Sequence, residues 1–263
     1  DEFKYPKAKR IDGVYQVLEN VSNAVKNEFE NYYPIVLAGD HSTAAGSICG
    51  IKAANPNKRL GVIWIDAHAD LHTPFTTPSG NIHGMPLAIA MAEDNLESKV
   101  NEVKGETLEL WEKCKNVGVK GAKLNPEDLV FIVVRDTEKP EDEFMTRNNI
   151  KNYSYDEVKE KGVQKVADET LERLSDCDII YITFDVDSID SKFSKGTGTP
   201  VPNESKPNAY GLTPDEAKEL NVALVKSDKV VCWEMVEVNP TLDTVNKMAE
   251  NTFDVLEAVV KEI

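Results

Sequence analysis

The chain has 263 residues, of which 41% are hydrophobic and 29% charged, with a net charge of −16 and a pI of about 4.7. That balance suits a soluble globular protein long enough to bury a core. The negative charge argues against a nucleic-acid partner and an anionic membrane surface, and no transmembrane run or signal peptide is visible.

Along the chain, apolar residues near helical spacing (Val14, Val17, Leu18, Val21, Val25) predict an amphipathic helix over 14–29. Residues 34–38 read as a short buried strand closed by Gly39, and 43–54, rich in small residues, as a closely packed helix. A second strand covers 61–66, and a helix follows from Met85 to about Ala92. The charged stretch 93–126 is expected to hold helices near 95–104 and 107–113. Residues 129–134 form a central strand, 152–155 a short one, and 162–174 a helix. A further central strand, 179–184, runs into Asp185. The loop 188–211, rich in Gly, Pro and Ser, is long enough to be functional. Thr213-Pro214-Asp215-Glu216 is a helix start, with Thr213 as cap and Glu216 three residues on. A strand at 230–236 and a helix at 243–261 end the chain.

Short apolar strands alternating with helices, without tight hairpin signals, predict an α/β fold: a mostly parallel sheet sandwiched between helices, in one domain spanning 1–263. In such sheets a site lies at the carboxyl ends of the strands, where His41, Asp66, Asp185 and Glu237 each fall. The four cysteines (Cys49, Cys114, Cys177, Cys232) show no C-x-x-C spacing, and Cys49 and Cys232 read as core thiols. They point to a reduced, cytoplasmic setting.

All four histidines lie between His41 and His83, whereas packing alone would scatter them. Asp66, His68 and Asp70 alternate along an extended segment and so share one face. Asp185, Asp187 and Asp190 supply further carboxylates. Buried together, these aspartates would repel one another without cations. Two divalent ions would balance Asp66, Asp70, Asp185 and Asp187, with each histidine capping one ion. Such ions sit about 3.5–4 Å apart and lower the pKa of a bridging water, giving a hydroxide nucleophile. The residue types thus spell a dinuclear metallohydrolase.

The segments Gly39-Asp40-His41-Ser42, Asp66-Ala67-His68-Ala69-Asp70 and Phe184-Asp185-Val186-Asp187-Ser188-Ile189-Asp190 resemble those of the ureohydrolases: arginase, agmatinase, and guanidino- and formimino-acid hydrolases. The stretch from Thr73 to Pro86, with Ser79-Gly80-Asn81-Ile82-His83-Gly84-Met85-Pro86, looks specifically like arginase. Gly198-Thr199-Pro200 and Glu237-Val238-Asn239-Pro240 add to the likeness, which runs from about Pro34 to the C-terminus. The family's first strand is not recognisable.

The resemblance implies that His41 and Asp70 hold one Mn²⁺ and His68 and Asp187 the other, with Asp66 and Asp185 shared. It implies that His83 protonates the leaving amine or shuttles a proton, that Glu237 accepts the substrate guanidinium, and that Thr199 lines that pocket. Ser79 and Asn81 would bind an α-carboxylate. Four positions depart from the pattern: Ala38 replaces Gly, Ser191 replaces Pro, His72 replaces an Asn that touches the carboxylate, and Glu138 replaces an Asp that meets the α-ammonium. His72 and Glu138 bear on substrate choice. The expectation is Mn-dependent hydrolysis of L-arginine to L-ornithine and urea by a homo-oligomer, a trimer or hexamer. The alternatives are agmatine or a guanidino acid as substrate, or a non-catalytic family member that binds metal or ligand.

Overall fold

The computed structural model describes residues 3–263. Six parallel strands form one sheet among the described residues: β1 (Ile35–Leu37), β2 (Leu60–Ile65), β3 (Leu129–Ile132), β4 (Lys151–Tyr153), β5 (Ile179–Asp185) and β6 (Val230–Val236). Their spatial order is β1-β6-β5-β2-β3-β4. The chain therefore runs outward from β2 to β4, then returns to lay β5 against the other side of β2. β2 and β5 are buried along their whole length, which is why they read as continuous apolar runs.

Alternate strand residues feed two cores. Ile63, Ile65, Val130, Ile182 and Phe184 pack under α7 (Val163–Arg173), α8 (Pro214–Val225) and α9 (Lys247–Val260). Val62, Trp64, Phe131 and Tyr181 pack under α2 (Thr43–Ala54), α3 (Pro86–Met91) and α5 (Lys139–Arg147). The result is a three-layer αβα sandwich, as expected. Outside α2 lies a third cluster, built by Tyr5, Ala8, α1 (Ile11–Glu28) and α4 (Glu106–Cys114). α1 and α2 approach closely at Gly46 and Gly50. A Cβ at Gly50 would lie 2.5 Å from the Ser22 carbonyl oxygen. All four cysteines are buried and free. No helix among the described residues is long and apolar enough to cross a membrane.

Three differences from the sequence expectations stand out. The helix expected over 95–104 is only a 3₁₀ turn, Leu96–Ser98. Asn95 is left-handed (φ 49°), and the Val100 and Asn101 amides both donate to Phe75 O, so the chain is pulled out of helix. Two helices lie outside the sequence expectations: α5, and α6 (Tyr155–Lys161). Both carry Glu at the third position, as α8 does. In α6 the Glu157 amide donates to Ser154 Oγ at 3.2 Å, and Glu157 Oε2 accepts from Ser154 N at 3.0 Å. The expected cap of α8 is formed: the Glu216 amide donates to Thr213 Oγ1 at 3.1 Å. α9 begins at Lys247, later than expected, after a left-handed Asn246.

Candidate metal centre and substrate cleft

β1 leads through Gly39-Asp40 to His41, β2 ends one residue before Asp66, β5 ends in Asp185, and β6 ends one residue before Glu237. A parallel sheet brings these strand ends to one edge. His41 is the hub. Its ring stacks on Trp64 at 4.1 Å, and its Nε2 meets Thr183 Oγ1 at 2.9 Å. Its Nδ1 lies 3.0 Å from Asp66 Oδ2, 3.1 Å from Asp70 Oδ2 and 3.1 Å from Asp185 Oδ2. Nδ1 is buried and makes a well-formed hydrogen bond with none of them. Three carboxylate oxygens around a buried ring nitrogen form a donor set for a cation.

His68 supplies a second focus: its Nδ1 is 3.0 Å from Asp187 Oδ2 and 3.5 Å from Asp66 Oδ1. The ligand-capable groups are therefore His41, Asp66 and Asp70 on one side and Asp66, His68 and Asp187 on the other, sharing Asp66. The carboxylates are held by their surroundings. Asp66 accepts from Trp64 Nε1 (2.9 Å) and His68 N (2.7 Å), Asp185 from Asp187 N (2.8 Å), and Asp187 from Ala67 N (3.1 Å) and Thr199 Oγ1 (3.2 Å). Hard oxygen and imidazole donors of this kind suit a divalent ion.

Charge repulsion is severe here. Burial, reinforced by Asp66, pushes Asp70 up to about 7. Burial together with Asp187 and Asp66 holds Asp185 well above the carboxylate range. Burial opposes charge on His41 and His68, yet the neighbouring carboxylates raise both, and the two histidines in turn hold Asp66 low. Buried carboxylates and histidines crowded in this way favour a site that holds positive charge. The backbone is also strained: Asp70 (φ 50°) and Glu237 (φ 68°) are left-handed, a conformation that clusters at functional sites.

Above this centre opens a cleft of about 270 Å³. Its lining includes His72, Ser79, Asn81, His83, Glu138, Thr199 and Glu237, so every site residue inferred from the sequence borders it except Asp66, which lies buried beneath. Glu237 Oε1 accepts from His41 N at 2.9 Å, and burial raises its pKa to about 7. His83 sits in the 3₁₀ turn Ile82–Gly84, and burial lowers its pKa. His72 Nδ1 meets Thr76 Oγ1 at 3.2 Å, while Nε2 lies 3.6 Å from Glu138 and 3.5 Å from Glu141.

Sequence reasoning missed three residues here. Glu141 lines the cleft, is buried, and is raised to about 7 by that burial; it accepts from Leu71 N (3.1 Å) and Glu138 N (3.0 Å). Its signal was present: Pro140-Glu141 three residues after Glu138 is a helix-start pattern. Asp136 also lines the cleft, 4.0 Å from His68 Nε2 and paired with Lys206 at 2.7 Å. Arg135 carries no ion pair among the described residues; instead its guanidinium donates to Val133 O, Asp187 O, Val201 O and Ala209 O at 2.9–3.1 Å. Both follow the end of β3, where site residues were to be sought.

Residues 5–262 match the model of the Arginase family. An arginase of Bacillus subtilis is 34% identical over 253 residues, covering 96% of this chain and 77% of that protein. Among solved structures, an arginase of Bacillus caldovelox superposes with a TM-score of 0.84 at 32% identity, covering 100% of this chain and 80% of that one. An Entamoeba histolytica arginase solved with L-ornithine gives a TM-score of 0.84 at 28% identity, covering 98% and 80%. Agreement of sequence, fold and strand-end chemistry over nearly the whole length establishes that the chain belongs to the arginase family.

Proposed function

We propose that this protein hydrolyses L-arginine to L-ornithine and urea with two Mn²⁺ ions. The observation that carries the reading is the buried His41 Nδ1, about 3 Å from three carboxylates, joined through Asp66 to the His68–Asp187 pair. His41 and Asp70 would hold one ion, His68 and Asp187 the other, and Asp66 and Asp185 both. Bound there, the ions supply Lewis acidity and a water of lowered pKa.

The remaining work falls to side chains. Glu237, pinned by the His41 amide, accepts the guanidinium and sets its carbon above the carboxylate cluster, with Thr199 on the pocket wall. Water adds to the guanidino carbon, and the bond from that carbon to the side-chain nitrogen breaks. That nitrogen leaves as an amine after gaining a proton, which His83 delivers from the cleft wall. Ser79, Asn81 and His72 receive the α-carboxylate, and Glu138, with Glu141 behind it, the α-ammonium. A relative of the same fold solved with L-ornithine supports an amino-acid ligand. A single catalytic unit, a homo-oligomeric assembly and a cytoplasmic setting belong to the same reading.

Urea release from L-arginine and agmatine, measured side by side with added Mn²⁺, tests it. Agmatine lacks the carboxylate and would leave cleft donors unpaired, at roughly 1–3 kcal/mol each. We expect kcat/KM for L-arginine to exceed that for agmatine by at least about a hundredfold. A preference for agmatine would overturn the substrate; no urea from either would overturn hydrolysis.

A further inference from the structure

The N-terminal segment packs against the loop that carries Ser79 and Asn81 on the cleft wall. Tyr5 and Ala8 are buried in one cluster with Phe75 and Ile82. The Lys9 amide donates to Gly80 O at 2.7 Å. Gly80 is left-handed (φ 78°), and a Cβ there would lie 2.0 Å from Pro6 O, so the two segments touch backbone to backbone. Lys9 is thereby fixed beside Asn81.

From that position Lys9 Nζ donates to Asn81 Oδ1 at 3.0 Å. An ammonium has only donors, so the amide end that faces it must be the oxygen. Asn81 Nδ2 is left with no acceptor among the described residues, on a side chain that lines the cleft. The Asn81 amide N–H donates to Ser79 Oγ at 3.1 Å, which fixes the turn. Lys9 and Arg10 also line a hollow that shares Asn81 and His83 with the cleft. The cleft lining carries Asp136, Glu138 and Glu141 as well. Cations in the adjoining hollow, next to Asn81, and carboxylates on the cleft wall match the two charges of a zwitterionic amino acid.

We infer that Lys9 is a specificity-determining positioning residue: it orients the Asn81 amide as a donor and adds positive charge where the substrate carboxylate binds. The inference rests on the arginine reading above. It is tested with Lys9→Met and Lys9→Arg in the Mn-loaded protein, assayed on L-arginine and agmatine. Calorimetric affinities for L-ornithine and for putrescine, which lacks the carboxylate, complete the test. Lys9→Met should raise KM for L-arginine about tenfold, as expected for losing a charge-assisted contact, with kcat changing less than about twofold. L-ornithine should weaken by a similar factor while putrescine does not, and Lys9→Arg should recover most of the loss. Equal losses for both ligand types, no loss for L-ornithine, or a Lys9→Arg variant as impaired as Lys9→Met would overturn it. If the wild-type protein prefers agmatine, the substrate reading fails, and the ornithine-to-putrescine comparison still decides the role of Lys9.

Discussion

Glu237 illustrates how burial sets the working pH of a single side chain. Desolvation raises it to about 7, against an ordinary 4.5, and Glu141 is raised likewise. A guanidinium stays charged throughout this range, so a cationic substrate is held only by the ionised carboxylate. Affinity for L-arginine should therefore climb as pH rises from 6 to 8, and Glu237→Gln should abolish that climb and cut kcat/KM by at least about a hundredfold. Competition assays with L-ornithine across this range would check it; a pH-independent affinity would refute it. The linkage for stability has the opposite sign. Because both folded values are raised, the free protein loses stability as pH climbs from about 4.5 towards 7. At this scale the metal-type ligands were legible in the sequence because their motifs sit at strand ends. Asp136, Arg135 and Lys9 were not, and Glu141 was marked only as part of a helix start: their roles depend on contacts with residues far away in the chain, such as Lys206, Val201, Asn81 and Leu71.

Among elements, strands were the easiest to anticipate, since β2 and β5 are apolar on both faces and flanked by breaks. α5 and α6 were harder because they are short and mostly polar, with capping chemistry as their main mark. The false helix at 95–104 failed for a tertiary reason: the backbone bonds to Phe75 O outcompete local propensity. The contact between α1 and α2 gives a test of packing. Gly50 faces the Ser22 carbonyl with no room for a methyl, so Gly50→Ala must push the helices apart. A loss of about 1–3 kcal/mol is expected, seen as a lower urea midpoint at unchanged m-value. An unchanged midpoint would mean that the helices separate without cost.

For the molecule as a whole, the buried acidic centre couples cation binding to folding. A ligand that binds only the native state at a hundred times its Kd adds about 2.7 kcal/mol. Chelator treatment should accordingly lower Tm by several degrees, and Mn²⁺ should restore it. Mutating Asp66, which serves both ligand groups, to Ala should reduce that recovery more than mutating Asp70. Arg135 carries the last consequence. Its guanidinium joins the end of β3 to the Asp187 carbonyl and to Val201 and Ala209, far along the loop that carries Thr199. Opening the loop would strip a half-buried guanidinium of most of its acceptors at once. The loop and the end of β3 should thus form one cooperative unit in amide hydrogen exchange, opening together or not at all.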